Sequence, residues 1–450
     1  MLNLPDLPNE LLHQIAEHLH PPDWHDLEGR NTMHGLQSFS LICRRSRDVG
    51  QAHVFRDIVF SFRCAIEDER WLAEDGTTLP EWDHRGENEP GSPYRTLAIF
   101  CTFMREYPSL GQAIRRLKLI AYPRGPLITN HDSGPRPSNL GDDSSTEALL
   151  LHQLIALTPL LEELELKDML ITSTTEYWET LSGPLPALRR LDIDYLKRTD
   201  SQGHVGDILG CFSTIGNVRV RNLPRLHEWP DDIAPPNMRI ASFTCLDEGS
   251  EVEVLLDYVY DSPSVETLRE LYTGFSPSAF PVYDELLSLV RPNLECIGIT
   301  VSQPGVLRAD YDPPPNLSPY TKLRRLLLKC MMYHDMAPIN NAEWDRLITV
   351  LSSCQTCDHL ASVDILVWCP RGNISWLQSL NTSARRRMED VLLKLVEVTS
   401  LRATRFMLCC RQPLSASAEG LLRHALPRLA EKGILRVAYS ARPDIPAEIT

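Results

Sequence analysis

Apolar residues recur along most of the chain in a short strand pattern, Leu-x-x-Leu-x-Leu, whose last two apolar positions flank one variable residue. This spacing predicts β-strands, because side chains alternate between the two faces of a strand. Clear copies begin at Ile114, Leu161, Leu188, Leu294, Leu323 and Leu360. Weaker copies begin at Ile215, Met238, Leu268 and Leu401, with a terminal copy at Leu435.

The copies follow a regular spacing over the middle of the chain. Between Leu161 and Leu323 successive copies begin 23 to 30 residues apart. Leucine-rich repeats have a period of about 20–29 residues, so most of these intervals fit such an array. The longer intervals, from 114 to 161 and from 323 to 360, predict insertions between strands.

Amphipathic helical patterns lie between the strands, and several of them end in a short turn that contains proline. They cover residues 149–157, 254–259, 283–290, 344–351 and 388–396. The order of strand, turn, helix and turn predicts an α/β fold, an irregular solenoid with parallel strands on its concave face and helices outside. An all-helical repeat array is the rival interpretation, but the period-two triplets of isoleucine, valine and leucine favour strands.

The N-terminal stretch has a different pattern, with Leu11, Leu12, Ile15 and Leu19 on one stripe at helical spacing. Pro8 has a fixed φ angle and no N–H group, so it suits the first turn of this helix. Only one side of the helix is apolar. The helix therefore either covers a core or offers its apolar side to a partner.

Three short segments near the N-terminus together resemble an F-box, over roughly residues 4–62. They are Leu7-Pro8-x-Glu10-Leu11-Leu12-x-x-Ile15, then Leu36-x-x-Phe39-Ser40-Leu41-Ile42-Cys43-Arg44, then Val54-Phe55-Arg56-x-Ile58. The resemblance is to the F-boxes of fungal proteins in particular. The chain departs from that pattern in two places, because the connection 21–35 is longer than usual and Ser46 stands where the family commonly has tryptophan.

The repeated strands resemble those of intracellular leucine-rich-repeat proteins. Eight positions after the start of each copy, that family usually has asparagine or cysteine, whose side chain ties neighbouring turns together. This chain has apolar residues there instead, namely Met169, Leu196, Leu223, Leu246, Met331 and Trp368. We therefore expect the solenoid to be irregular and held mainly by apolar packing.

The F-box resemblance implies that the N-terminal helices bind the Skp adaptor of a cullin–RING ubiquitin ligase. The chain would then be a substrate receptor, whose repeats hold an unidentified protein target while other subunits catalyse ubiquitin transfer. It would not itself be an enzyme, and no cofactor is implied. The resemblance assigns the adaptor contacts to Leu7, Pro8, Leu11, Leu12, Ile15, Leu36, Leu41 and Cys43.

Two other interpretations stay open. In the first, the repeats are a scaffold for protein interaction without a ligase role, and the N-terminal helices cap the first repeat. In the second, the chain is an enzyme with its site in a loop insertion. The common phosphate-binding, nucleophile-elbow and zinc-protease motifs are missing from the sequence, which argues against the second interpretation.

One cysteine pair comes nearest to a metal site. Cys354-x-x-Cys357-x-His359 has two thiols and an imidazole at close spacing, but tetrahedral zinc needs a fourth ligand. No such ligand lies nearby in the sequence. Buried structural thiols are therefore the favoured interpretation, and no bound metal is expected.

The pattern divides the chain into an F-box at residues 1–63, a polar linker or insertion at 64–96 and a leucine-rich-repeat-like domain at 97–450. A polar loop insertion at about 122–146 interrupts the repeat domain. Both polar segments contain prolines, glycines and acidic residues, a composition typical of surface loops.

The variable residues of the strands are predicted to line the concave face, where a target would bind. Neither one sign of charge nor an aromatic ladder dominates among them. Such a mixed surface suits a specific protein partner better than a polyanion. The candidate target-binding residues are Lys118, Glu165, Asp192, Arg219, Ser242, Tyr272, Leu327, Asp364 and Arg405.

Composition narrows the class of partner and the compartment. The 450 residues are 43% hydrophobic and carry a formal net charge of −15, which fits a folded chain and disfavours binding to nucleic acid. The twelve cysteines show no closely spaced framework and indicate reduced thiols. The sequence shows no signal peptide pattern and no apolar stretch of membrane length, so we expect an intracellular location, in cytoplasm or nucleus, and no membrane partner.

Overall fold

The computed structural model of the chain describes two compact units. The first unit comprises the described residues up to Gly216 and those between 222 and 227, and the second comprises residues 217–221 and those from 228 onward. The described residues are 8–19, 41–42, 49–50, 53–63, 97–122, 145–167, 185–194, 202–203, 205–222, 225–226, 237–245, 251–274, 281–301, 315–332, 337–369, 377, 380–410 and 417–440.

The first unit is built on a parallel sheet whose strands lie side by side in chain order. The strands are Asp57–Arg63 (β1), Arg116–Tyr122 (β2), Glu163–Lys167 (β3) and Ala187–Asp194 (β4). The helices of this unit are Asn9–Leu19 (α1), Leu97–Glu106 (α2), Pro108–Ala113 (α3), Ser145–Leu157 (α4) and Val205–Leu209 (α5). Two short strands, Gln202–Gly203 (β5) and Arg225–Leu226 (β7), pair with each other, and Thr214–Arg221 (β6) is divided between the units.

The first strand of this sheet lies in a segment that the sequence assigned to the F-box. β1 pairs with β2 along its whole length, with Ile58 opposite Leu117 and Phe60 opposite Leu119. The ring of Phe60 also stacks on Phe100 of α2 at a centroid distance of 4.2 Å. Asp57–Arg63, the end of the segment assigned to the F-box, is thus part of the sheet.

A parallel sheet also organises the second unit, and each strand again pairs with its neighbour in the chain. The strands are Arg239–Cys245 (β8), Glu270–Thr273 (β9), Cys296–Thr300 (β10), Arg325–Met331 (β11), Ser362–Cys369 (β12), Ala403–Cys410 (β13) and Leu435–Ser440 (β14). The helices are Glu251–Tyr260 (α6), Ser264–Thr267 (α7), Pro281–Val290 (α8), Ala337–Ser353 (α9), Thr382–Val398 (α10), Ser417–Ala425 (α11) and Pro427–Glu431 (α12).

Each sheet has two faces, which we name by the residues they carry. The leucine face carries the apolar positions of the repeated pattern, such as Leu117 in the first unit and Leu326 in the second. The variable face carries the residues between those positions, such as Lys118 and Asp364. Residues opposite each other in a parallel ladder share a face, so each face forms continuous rows across neighbouring strands.

Helices of the second unit pack on its leucine face. Trp344 of α9 is fully buried and stacks on Phe406 of β13 at a centroid distance of 6.3 Å. Tyr283 of α8 lies 3.1 Å, oxygen to oxygen, from the hydroxyl of Thr273 at the end of β9. Burying large apolar side chains between a sheet and its helices supplies the main stabilisation of such a layered fold.

Side-chain oxygens accept backbone N–H groups at the N-termini of two helices near the end of the chain. Asn381 caps α10, because its side-chain oxygen accepts a hydrogen bond from the backbone N–H of Ala384 at 2.6 Å. The helix α12 has no cap of its own. Instead, the buried Glu389 of α10 accepts the backbone N–H of Arg428 at 2.7 Å, so one helix caps the next.

The predicted α/β class with parallel strands is confirmed in both units. The five helical patterns seen in the sequence fall within α4, α6, α8, α9 and α10. None of the helices in the described residues is long and apolar enough to cross a membrane. The polar segment 64–96 and nearly all of the insertion at 122–146 lie outside the described residues.

Candidate functional site

The N-terminal helix α1 begins directly after Pro8. The Pro8 carbonyl accepts hydrogen bonds from the backbone N–H groups of Leu11 and Leu12, both at 3.1 Å. Proline therefore stands just before the helix rather than inside its first turn. Its missing N–H group costs nothing at this position.

One side of α1 is buried in a small core of the first unit. Leu12 and Ala16 are fully buried and pack with Val49, while Ile15 and Val54 are partly buried around them. Leu12 is therefore a core residue in this arrangement, and its role as an adaptor contact stays a prediction. Val54 lies three residues before the start of β1, so the core of α1 is close in the chain to the first strand of the sheet.

A histidine pair adds a polar contact at the edge of this core. Nδ1 of His13 on α1 lies 3.2 Å from Nε2 of His53. His53 is buried, whereas His13 is exposed. One ring nitrogen must donate and the other accept, so the contact requires complementary tautomers or one protonated ring.

The other side of α1 presents apolar residues to solvent. Leu11 is 43% exposed, and Pro8 beside it is exposed as well. In the second of the three segments that resemble an F-box, Leu41 is 76% exposed and Ile42 is 55% exposed. These exposed side chains are the candidate contacts among the described residues of the segments that resemble an F-box. The other expected adaptor contacts Leu7, Leu36 and Cys43 lie outside the described residues.

Charged residues stand in register on the variable face of the first unit. Lys118, Glu165 and Asp192 lie directly opposite one another on β2, β3 and β4, as the repeat spacing predicts. Lys118 Nζ lies 2.9 Å from the Glu165 carboxylate. Arg190 on β4 donates to Asp192 at 2.6 Å. Opposite charges thus neutralise each other across this face.

The next row on the same face repeats this alternation of charge. It runs through Asp57, Arg116, Glu163 and Arg190 on successive strands. Arg116 Nε donates to the buried Asp57 at 2.5 Å, and a second guanidinium nitrogen contacts the other carboxylate oxygen. This bidentate pair fixes β1 to β2 with directional bonds in addition to the ladder.

A different arrangement occupies the variable face of the second unit. Leu327, Asp364 and Arg405 lie opposite one another on β11, β12 and β13, again as the spacing predicts. Asp364 is buried and accepts from two arginines, Arg325 Nε at 3.2 Å and Arg405 Nε at 2.8 Å. One carboxylate therefore joins β11 and β13 across the strand between them.

The register of β8 differs from the one the sequence suggested. Phe243 lies opposite Leu271, so the copy begins at Ile240 rather than Met238. Ser242 consequently lies opposite Glu270, to which its hydroxyl donates at 2.9 Å. The position matching Tyr272 is Thr244. Alanine at the central position of the pattern gave too weak a signal to fix the start of this copy.

A buried apolar cluster covers part of the same face. It consists of Tyr272, Leu327, Leu366, Met407 and Cys409, with Cys296, Trp368 and Ala438 packed around it. Burial raises the pKa of the Cys296 thiol to about 11 and raises the pKa of Tyr272 as well. Both groups therefore stay protonated at neutral pH, and the cluster behaves as an apolar core.

The predicted target-binding residues are buried or half-buried, and are therefore less accessible than residues on an uncovered concave face would be. Arg219, like Ser242, is buried, and Glu165 and Arg405 are half-buried. The remaining residues of the set are buried too, namely Lys118, Asp192, Tyr272, Leu327 and Asp364. A target would therefore meet the half-buried Glu165 and Arg405 before the buried residues of the set.

Two arginines on the variable face were missed from the sequence. Arg325 lies two residues before the variable position Leu327, and on a strand that separation returns to the same face. Arg436 lies opposite Arg405 and is exposed. Its position between Leu435 and Val437 in the terminal copy was a sufficient signal to find it.

The cysteine pair does not combine with the nearby histidine. Cys354 and Cys357 are fully buried, whereas His359 is exposed. In the described part of the chain, no group of three or more His, Cys, Asp or Glu side chains is placed to hold a metal ion. The hydrogen bond between the thiols raises the pKa of Cys354 and lowers that of Cys357.

The sequence matches no protein-family model, and no curated protein matches it significantly.

Proposed function

We propose that the chain is the substrate receptor of a Skp–cullin–F-box ubiquitin ligase. In this proposal the outer side of α1 and the segment around Leu41 bind the Skp adaptor, and the repeats bind a protein target. The chain holds the target near the catalytic subunits, which raises its effective concentration at the site of transfer. Catalysis belongs to the other subunits.

The observation that carries the proposal is the exposure of Leu11, Leu41 and Ile42. Each lies in a segment whose sequence resembles an F-box, and each leaves a large part of an apolar side chain in water. Burying such residues in a helix-to-helix contact would supply the hydrophobic centre that stable interfaces have. The inner side of the same helix is already occupied by the core around Leu12.

The second candidate function is a protein-interaction scaffold in which α1 only caps the sheet. One observation favours it, because the core of α1 includes Val49 and Val54, just before β1. A helix in that position covers apolar surface at the end of a repeat array, as a terminal cap does. The two candidates differ in whether the outer side of α1 has a partner.

Co-purification with the Skp adaptor separates the two candidates. The wild-type full-length chain is expected to retain the adaptor, and Leu11→Asp combined with Leu41→Asp is expected to lose it, because charges replace the apolar contacts. Leu160→Asp is the matched control, since Leu160 is 46% exposed in the first unit but lies outside the segments that resemble an F-box. Absence of the adaptor from folded wild-type protein would contradict the ligase proposal. Normal binding by the double variant would contradict the assigned surface.

A further inference from the structure

Two cysteines lie in one turn at the C-terminal end of α9, in the second unit. Cys354–Thr356 forms a short 3₁₀ turn directly after the helix, and Cys357 follows it. The backbone N–H of Cys357 donates to the carbonyl of Cys354 at 2.9 Å. A turn closed in this way holds its first and last Cα atoms within about 7 Å of each other, which is the limit for a disulfide without backbone movement.

The side chains of the two cysteines point towards each other. Their thiols are hydrogen-bonded to each other, which raises the pKa of Cys354 and lowers the pKa of Cys357. Each sulfur also contacts a carbonyl oxygen, Cys354 Sγ that of Val350 at 3.4 Å and Cys357 Sγ that of Leu317 at 3.5 Å. Cys357 is therefore the thiol of the pair that ionises more readily, and the thiolate is the form that reacts with oxidants.

The cysteine pair is buried directly beneath the surface. Both side chains are fully buried, whereas Thr356 and Asp358, on either side of Cys357, are exposed. The hydroxyl of Thr356 ties the turn to the segment before β11 by donating to the carbonyl of Ser318 at 2.9 Å. The ends of helices open locally at a fraction of the free energy of global unfolding. A small oxidant can therefore reach Cys357 when this one turn opens.

We propose that Cys354 and Cys357 are a redox pair, which a peroxide converts reversibly into an intramolecular disulfide. In the first step the sulfur of Cys357 attacks one peroxide oxygen and the O–O bond breaks. The sulfur becomes a sulfenic acid, and the other oxygen leaves as water. In the second step the sulfur of Cys354 attacks that of Cys357, so that the S–S bond forms, the S–O bond breaks and a second water leaves.

The two steps balance. Two electrons pass from the two sulfurs to the peroxide, and both thiol protons end in the two waters. A dithiol reductant reverses the reaction by thiol–disulfide exchange, in which the reductant is oxidised to its own disulfide. The redox pair goes beyond the proposed function, because it involves neither the adaptor nor a target.

Oxidation would also change the hydrogen bonds of the turn. A disulfide has no S–H donor, so the carbonyls of Val350 and Leu317 would lose their thiol contacts. The end of α9 would then be held to the segment before β11 by two other bonds. These are the bond from Thr356 to the carbonyl of Ser318 and the bond from the backbone N–H of Leu317 to the hydroxyl of Ser353.

The test treats the reduced, native full-length chain with hydrogen peroxide, alkylates the remaining thiols in denaturant and analyses the peptides by mass spectrometry. The peptide that contains both cysteines is expected to lose two hydrogen atoms, and dithiothreitol is expected to restore both thiols. Cys330 on β11 is the internal reference, since it is also buried and burial raises the pKa of its thiol. The disulfide should form at least about tenfold faster than Cys330 is oxidised.

Serine variants test the order of the two steps. Cys354→Ser keeps a hydroxyl donor beside Cys357 but removes the second sulfur, so the sulfenic acid should persist and react with dimedone. Cys357→Ser is expected to leave Cys354 unlabelled by dimedone. Equal labelling of the two variants would overturn the assigned order.

The wild-type measurement decides the proposal even if a serine variant fails to fold. Absence of the disulfide from peroxide-treated native protein would overturn the proposal. A disulfide that forms no faster than Cys330 is oxidised, or one that links two chains, would overturn it as well. The assay contains no adaptor, so its failure leaves the adaptor experiment unaffected, and the reverse also holds.

Discussion

The ring of Tyr272 on β9 occupies the space beside Gly298 on β10. The two residues lie opposite each other on the variable face. A Cβ atom on Gly298 would stand only 2.4 Å from Cδ1 of the tyrosine ring, far inside van der Waals contact. Glycine is therefore required here for space, since any side chain would displace a fully buried aromatic ring.

We expect Gly298→Ala to lower the free energy of unfolding by about 1–3 kcal/mol, because the added methyl group overpacks the cluster around Tyr272. Chemical denaturation measures this change. Gly420→Ala in α11 is the control, since its Cβ would meet nothing within 4 Å, and it should stabilise the helix by up to about 1 kcal/mol. Adding Tyr272→Leu should recover part of the loss in a double-mutant cycle. Strict additivity of the two substitutions would contradict the contact.

Asp364→Ala is expected to destabilise the second unit by about 3 kcal/mol, because it removes the buried carboxylate shared by Arg325 and Arg405. Denaturant unfolding gives the value. The comparison is Asp345→Ala, which breaks the exposed pair of Asp345 with Arg387 and should cost no more than about 1 kcal/mol. Similar losses in both variants would mean that the Asp364 bridge contributes no more than a surface ion pair.

Glu389→Ala is expected to lower stability by about 1–2 kcal/mol, because the N-terminus of α12 loses the acceptor that caps it. The same change should speed hydrogen exchange at the backbone N–H of Arg428. Glu389→Gln keeps an acceptor oxygen and should have the smaller effect. The exposed pair of Arg428 with Asp390 is left intact in both variants. Unchanged protection of the Arg428 amide in the alanine variant would rule out this capping bond.

The free energy of unfolding should fall at alkaline pH because the thiol of Cys101 ionises. Burial raises the pKa of this thiol from its ordinary value of 9.0 to about 11, against a smaller opposing effect of Arg105. The unfolded chain therefore releases the proton first, and stability present below pH 9 is lost as the pH rises towards 11. The raised pKa of Cys101 contributes about 2 kcal/mol to the free energy of unfolding below pH 9. Unfolding measured between pH 8 and 11 should show a weaker pH dependence for Cys101→Ala. Equal slopes in wild type and variant would contradict this prediction.

The spacing of the repeats was enough to predict which variable residues become neighbours. Lys118, Glu165 and Asp192 stand in one row, and so do Leu327, Asp364 and Arg405. The reason is physical, because a period of two fixes the face of a residue and the ladder of a parallel sheet fixes its partner. At β8, by contrast, the weak apolar signal left the start of the copy misplaced.

Other features depend on contacts that no local pattern records. The copy in β1 reads Phe55-x-x-Ile58-x-Phe60, but the polar segment 64–96 separates it from the next copy and hides the period. Leu11 and Leu12 belong to the same apolar stripe, and only the packing of α1 on Val49 decides which one is buried. Likewise, burial of the variable-face residues follows from how side chains fill the face, which strand spacing does not determine.

The position of β1 affects how the N-terminal residues 1–63 can be removed. A chain starting at residue 64 would lack β1 together with α1, and the backbone groups of β2 that bond to β1 would become an open sheet edge. Open edges invite pairing with other chains and aggregation. The loss of Asp57 would also leave Arg116 without its buried carboxylate partner. Deleting the module would thus disturb the repeats themselves, whereas substitutions on the outer side of α1 leave the sheet intact.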